Sequence, residues 1–265
     1  MIACILAGQP NDGRLRQISE AAYEAEILIA GQPMVQYVTR ALQDAQHIDR
    51  LIFLGPQALC PPAAQYVPMQ NDLLSNLLAV VQAIEPTQRE QPVMIVTADV
   101  PLITGPMLDR MIEQMPSQLD IVYPIVEKSE MLRAFPCAQR TYVRLWDGTF
   151  TGGNVFLVKP AAILRVQDRL QDFFSHRKSP LQLAKDIGWD FVWKLLWHRL
   201  TLQAARQRLE KILAIKGQAW PVPWPEIGMD VDKAADWEAA EKLLNLAEGL
   251  EGHDGKRDAG TKFLS

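Results

Sequence analysis

Three short segments, Ile2–Leu6, Leu51–Leu54 and Val93–Thr97, are apolar along almost their whole length, and each gives way at once to turn-forming residues. A strand with one face in water alternates polar and apolar side chains. One that does not alternate has to be covered on both faces, as in a parallel sheet whose crossover helices lie on either side. The intervening sequence supplies such helices. Pro33 opens a stretch in which Met34, Val35, Val38, Ala41, Leu42 and Ala45 share one face, and Leu73, Leu74, Leu77, Leu78, Val81 and Ile84 repeat at helical spacing. A helix near Pro106–Gln114 and a fourth strand at Ile121–Val126 continue the alternation. The first half therefore predicts an α/β fold with a Rossmann-like, mostly parallel sheet.

The second half changes character. Thr141–Leu145, an Asp147-Gly148 turn and Thr149-Phe150 suggest a hairpin, followed by a strand at Val155–Val158. From Pro160 to about Gly217 the pattern is helical, with a break at Ser179-Pro180, and strand-like sequence resumes at Trp220 and Ile227. A helix over Glu238–Leu250 closes the fold. The expected organisation is one domain over residues 1–250 with a helical insertion at about 160–217, and a polar, Gly-rich, disordered tail at 251–265.

Charge narrows the partners. The 27 Lys and Arg and 31 Asp and Glu are well mixed and leave a net charge of −4, which excludes nucleic acid, whose phosphates call for a basic face. No stretch is long and apolar enough to span a bilayer, and the apolar start is too short for a signal peptide. Cys4, Cys60 and Cys137 form no CxxC pair, and His47, His176, His198 and His253 form no HxxxH pair. Neither a disulfide framework nor a zinc site is expected, and a cytoplasmic location is.

Three segments carry candidate chemistry. The loop Leu6-Ala7-Gly8-Gln9-Pro10-Asn11-Asp12-Gly13-Arg14-Leu15 follows the first strand, where backbone N–H groups approach phosphate oxygens and Arg14 adds a permanent charge. Gly8 and Gly13 have Walker A spacing, but Arg14-Leu15 replaces the Lys-Ser/Thr pair, so a P-loop is not expected. The plainer alternative is a tight turn. In Thr97-Ala98-Asp99-Val100-Pro101, a carboxylate stands at the carboxyl edge of a buried strand, where open α/β sheets bind ligands and where Mg²⁺ finds oxygen donors. On its own such an Asp is most often a turn former. In Gly228-Met229-Asp230-Val231-Asp232, strand alternation puts two carboxylates on one face, although Asp232 also suits a helix cap.

In order, Leu-Ala-Gly…Gly-Arg-Leu, Gly31-Gln32-Pro33-Met34, Thr97-Ala98-Asp99-Val100-Pro101 and Asp230-Val231-Asp232 resemble the MobA-like NTP transferases, over roughly residues 1–160 and 219–245. The resemblance implies a GT-A/nucleotidyltransferase-type fold, with a helical insertion in the second half. It also implies a reaction in which a small phosphorylated or sugar-like acceptor attacks the α-phosphorus of a nucleoside triphosphate and pyrophosphate leaves in line. Asp99 with Asp230 and Asp232 would hold Mg²⁺, and Asp99 and Arg14 would serve catalysis. Leu6, Ala7, Gly8, Gly13, Arg14 and Asn76 would bind the nucleotide. Gly152, Gly153 and Asn154, with Lys178 from the insertion, would face the acceptor.

Two positions depart from the family pattern. Gln9 stands where a second glycine is usual, and Glu24 falls near the place of a lysine about ten residues before Met34. No lysine precedes Lys128, so none from the first three strands substitutes. These departures keep open a non-catalytic nucleotide-binding protein on the same fold. A metal-dependent glycosyltransferase also stays open, although it would show Asp-x-Asp where this chain has Thr97-Ala98-Asp99. Trp189, Trp193 and Trp197 make a helical stripe that suits core or a contact between copies of the chain, with a membrane role disfavoured.

Overall fold

A computed structural model describes residues 1–176 and 188–254. Lys178, the Ser179-Pro180 break and residues 255–265 of the expected tail lie outside these. In chain order the main elements are β1 (Ile2–Leu6), β2 (Leu28–Ile29), β3 (Gln32–Pro33), α1 (Met34–Asp44), β4 (Arg50–Leu54), β5 (Ala64–Val67), α2 (Leu73–Gln82), β6 (Val93–Thr97), α3 (Gly105–Gln114) and β7 (Ile121–Glu127). Then come α4 (Lys128–Ala134), β8 (Val143–Leu145), β9 (Gly148–Gly152), β10 (Val155–Val158), α5 (Pro160–His176), α6 (Trp189–Leu196), α7 (Leu202–Leu213), β11 (Gly217–Pro221) and α8 (Ala234–Asp254).

Among the described residues a nine-stranded sheet runs β5-β4-β1-β6-β10-β7-β9-β8, with β11 on β7. Strands β5, β4, β1 and β6 are parallel neighbours, and β10 and β9 run against the rest. The missing alternation in β1 and β4 has the expected cause. Ala3, Ile5 and Phe53 face a core shared with Val35 and Val38 of α1 and Leu108 of α3. Their neighbours Cys4, Ile52 and Leu54 face the opposite one, with Val80 and Val81 of α2 and Ile163 of α5. Burying a side chain such as Phe53 from water stabilises the fold by about 1.5–3 kcal/mol.

Two features position the site. Strands β9 and β10 both pair with β7, at Ile125–Glu127 and at Ile121–Val122, and Gly153-Asn154 interrupts the ladder between them. A third cluster packs Leu15, Ile27, Ile29, Met34 and Tyr37 against Val231 and Ala240, so the chain's last third closes over the loops that follow β1. The Trp237 indole N–H donates to the Leu28 carbonyl at 2.8 Å and pins α8 there.

Several boundaries differ from expectation. Pro33 caps α1 from an extended position (ψ 135°), because its ring suits the residue before the first helical turn. The hairpin turn is Trp146-Asp147, one residue earlier than expected, since Leu145 pairs with Gly148. Ile227 lies in a 3-10 turn, Pro225–Gly228, opened by a proline that cannot donate to a ladder. Helix α8 starts at Ala234 and runs to Asp254, so residues 251–254 of the expected tail are helical; Ala247, Glu248, Leu250 and Glu251 favour that state. Trp189, Trp193 and Trp197 are 52%, 57% and 65% exposed, so the stripe is not core of this chain. No helix among the described residues is long and apolar enough to cross a membrane.

Candidate nucleotide and metal site

A cavity of about 610 Å³ opens at the carboxyl ends of β1 and β6. Its first wall is the turn after β1. Ala7 N donates to the Leu54 carbonyl at 2.7 Å and Ala98 N to the Leu6 carbonyl at 3.0 Å, so the strand ends hold together beyond the sheet. Leu6, Ala7 and Gly8 line the cavity. A Cβ on Gly8 would meet the flexible Met69 side chain at 2.8 Å from Sδ.

The loop then folds back on itself. The buried Asn11 amide donates to the Ser19 and Ala21 carbonyls at 2.9 and 3.0 Å, and Glu24 N donates to the Gln9 carbonyl at 3.0 Å. This return brings Glu24 into the cavity wall, and a Cβ on Gly13 would lie 3.8 Å from Glu24 Oε1. Arg14 is exposed on a short 3-10 turn whose anchor is the fully buried Leu15, and neither Gly13 nor Arg14 lines the cavity. Asn76 does line the cavity, but its Oδ1 accepts from Gln70 N at 2.6 Å and so holds the turn before α2.

Asp99 follows β6 directly. The Thr97 hydroxyl donates to its carboxylate, and Val231 N donates to its carbonyl at 2.9 Å. That backbone bond brings the 229–233 segment alongside. The segment forms no strand, so sheet alternation is not what unites Asp230 and Asp232. They flank Val231, which is buried in the third cluster, and both turn toward Asp99. One carboxylate oxygen from each of Asp99, Asp230 and Asp232 lies within 4.8 Å of the others. Asp99 and Asp230 are half-buried and Asp232 is exposed.

Burial, with neighbouring negative charge, raises the proton affinity of Asp99 and Asp230. Burial pushes the Asp99 carboxyl up to about 6, with the charge of Asp232 adding to it and the Thr97 hydrogen bond opposing it. Burial also raises Asp230, against the pull of the Arg140 guanidinium. A fourth carboxylate faces the group: Glu24, half-buried, is pushed up to about 7 by burial and then by Asp99, Asp232 and Asp12. Hard oxygen donors converging with more negative charge than their own neighbours neutralise are the donor set that a small divalent cation fits.

One charged partner of the triad was not anticipated. Arg140, on the loop between α4 and β8 and only 5% exposed, lies with Nη1 at 2.7 Å from Asp230 Oδ1 and Nη2 at 3.3 Å from Asp236 Oδ1. A lone arginine in a polar loop carries no motif, and only the ninety residues that separate it from Asp230 being folded together reveal it.

On the acceptor side, Gly152 and Gly153 do not line the cavity, whereas Asn154 does. A Cβ on Gly152 would fall 1.8 Å from Tyr123 Oη, and one on Gly153 would meet Ile227 Cδ1 at 2.7 Å. Both glycines permit packing behind the site. Asn154 N donates to the Ile227 carbonyl at 2.8 Å and its own carbonyl accepts from Thr97 N at 3.1 Å, so it joins β6 to the acidic segment.

A mostly parallel α/β sheet with a glycine turn and converging carboxylates at its carboxyl edge, around a cavity within the roughly 300–1,000 Å³ range of small-ligand sites, defines a nucleotidyltransferase-type protein. The chain matches the MobA-like NTP transferase domain over residues 4–218 and belongs to that family. Transfer of a nucleoside monophosphate from its triphosphate is the activity that goes with it. A hypothetical transferase structure from Thermus thermophilus is 33% identical, with a TM-score of 0.80, over 89% of this chain and 98% of that one. The fold is shared with a CMP:2-keto-3-deoxy-manno-octonic acid synthetase complexed with CTP (TM-score 0.57, 15% identity, 93% and 98% covered). It is also shared with a 4-diphosphocytidyl-2C-methyl-D-erythritol synthase from Anaerococcus prevotii (0.54, 10%, 92% and 96%). Comparison with the curated proteins gave no match.

Proposed function

We propose that this chain transfers a nucleoside monophosphate to a small sugar-like or phosphorylated acceptor, with Mg²⁺ held by Asp99, Asp230 and Asp232. The observation that carries this reading is that the three carboxylates converge in the same cavity as the Gly8 turn. Bound there, the cation would neutralise charge on phosphate oxygens. The backbone at Ala7 and Gly8 would receive the triphosphate, and Asn154 would border the acceptor. An acceptor oxygen, anionic in a phosphate or losing its hydroxyl proton to solvent in a sugar, forms a bond to the α-phosphorus as the bond from that phosphorus to the oxygen bridging to the β-phosphorus breaks, and pyrophosphate carries off the negative charge. The two structures named above as synthetases with cytidylyl products or ligands favour a sugar-like acceptor by analogy.

Glu24 fits this reading through its proton. A carboxyl that titrates near 7 is neutral about half the time at neutral pH, and in that form it donates a hydrogen bond to a phosphate oxygen instead of repelling it. The cytoplasm, where nucleoside triphosphates are made, is the location this activity calls for. We place any contact between copies on the exposed Trp189 and Trp193 of α6 and Trp197 just after it, which sedimentation of wild type beside Trp193→Ser tests.

The experiment is pyrophosphate release with each nucleoside triphosphate, Mg²⁺ and a panel of sugar phosphates and alcohols, alongside thermal shifts for wild type and Asp99→Ala. Turnover with one acceptor class supports transfer. Metal-dependent nucleotide binding without turnover on any acceptor supports the non-catalytic reading, which the carboxylate of Glu24 at a cation's place favours. Binding that is independent of metal, or unchanged in Asp99→Ala, removes the metal site.

A further inference from the structure

We infer that Arg140 is the positioning residue that assembles the acidic triad before any cation arrives, holding Asp230 directly and Asp232 through Asp236. The inference rests on the proposed role of the triad as a cation site, and the contacts that carry it are independent of that role.

The 229–233 segment lies in neither strand nor helix, yet it has to present two carboxylates to a third against their mutual repulsion. Arg140 meets that requirement with both ends of its fork. Nη1 donates to Asp230 Oδ1 at 2.7 Å, and Nη2 donates to the Asp230 carbonyl at 2.5 Å. The same Nη2 is 3.3 Å from Asp236 Oδ1, and the other oxygen of Asp236 accepts from Asp232 N at 3.3 Å. The guanidinium thus reaches the backbone of Asp232 across one buried carboxylate. Asp236 is 3% exposed and the Arg140 side chain 5%, so neither charge is left to water.

A second contact clamps the same two segments in the opposite sense. Lys233 Nζ donates to the carbonyl of Gln139, the residue before Arg140, at 3.2 Å. Meanwhile Arg140 Nε is buried without a partner, so the donors that are satisfied are those aimed at the acidic segment. A guanidinium serves here where an ammonium would not, because a planar fork fixes a carboxylate and a carbonyl at once.

Charge and positioning make opposite predictions, which allows a clean test. Arg140 repels a cation, so if it were only a counter-charge its loss would tighten metal binding. If it positions the triad, its loss loosens binding. Mn²⁺ alone is titrated into wild type, Arg140→Lys, Arg140→Met and Asp236→Asn, with free Mn²⁺ read by electron paramagnetic resonance and folding checked by circular dichroism and Tm. The expected result is Mn²⁺ binding weakened about tenfold or more in Arg140→Met, and severalfold in Asp236→Asn and in Arg140→Lys, which keeps the charge but not the fork. In turnover assays the apparent KM for Mg²⁺ rises by a similar factor while kcat at saturating Mg²⁺ stays within about twofold. Folded variants that bind Mn²⁺ as tightly as wild type, or more tightly, overturn the inference and leave the metal site standing. A wild type that binds no Mn²⁺ overturns the metal site and this inference with it.

Discussion

The backbone N–H of Glu24 donates to the carbonyl of Gln9 at 3.0 Å, so the two positions at which this chain departs from its family's pattern are joined to each other. They form one feature, a loop that leaves the end of β1 and returns to the cavity wall bearing a carboxylate. The consequence for ligand binding is specific.

Glu24 titrates near 7. Below that value it is neutral and would donate to a bound phosphate; above it, it adds one more anion to the wall. Deprotonation of the triad strengthens metal binding over the same range, so the role of Glu24 is read as the ratio of Glu24→Gln to wild-type affinity for a magnesium–nucleoside triphosphate complex, measured by calorimetry, which is expected to rise from pH 6.5 to 8.5. Glu24→Gln, neutral at this position throughout, should bind about as tightly as wild type at pH 6.5 and exceed it severalfold at pH 8.5. Equal pH dependence in both proteins would count against the role given to Glu24.

The raised carboxylates also set how metal-free stability depends on pH. Their folded values, about 6 for Asp99 and about 7 for Glu24, lie above the unfolded values near 4. The folded state therefore binds these protons more tightly. The associated stability is fully present below pH 4 and is lost as pH rises through 6 to 7. Asp109 and Asp120, held below the ordinary value, act in the opposite direction at lower pH. The Tm difference between the Asp99→Asn, Glu24→Gln double variant and wild type, both without metal, should accordingly grow between pH 5 and 8. Adding Mg²⁺ should raise the wild-type Tm at pH 8 and leave it nearly unchanged at pH 5.

Asp99→Asn separates site from fold. It removes a half-buried anion from the triad, so the metal-free protein should melt at an equal or higher temperature. The Mg²⁺-dependent rise in Tm with nucleoside triphosphate should disappear. A variant that melts lower without metal would show the carboxylate to be structural.

Gly152 makes a packing prediction. A Cβ there would overlap Tyr123 Oη, and Tyr123 is itself stacked on Phe156 with ring centroids 5.1 Å apart. Gly152→Ala should cost about 1–3 kcal/mol by overpacking, read by denaturant titration, and Tyr123→Phe should recover part of that loss in the double variant.

Much of the scaffold was legible in the chain. Non-alternating runs such as Ile2–Leu6 and Val93–Thr97 are buried on both faces in the sheet, and Asp99 stands at its carboxyl edge beside Asp230 and Asp232. The site was legible only in part. Arg14 and Gly13 read as phosphate ligands, and neither lines the cavity. Gly152 and Gly153 read as pocket residues but serve packing. Arg140 carried no signal, and the exposed Trp189, Trp193 and Trp197 rule out core of this chain while keeping the contact between copies that the stripe also suggested.

The division has a physical reason. Which residues form strands and helices, and which faces they bury, follows from periodicity within a few residues, a property each segment carries alone. Which charges meet depends on contacts between segments far apart in the chain: Glu24 with Asp99, Asp99 with Asp232, Arg140 with Asp230. The sequence by itself determined the sheet and the aspartate at its edge. Packing of the last third over the β1 loop decided that this aspartate has two acidic partners, a facing glutamate and a buried arginine to hold them.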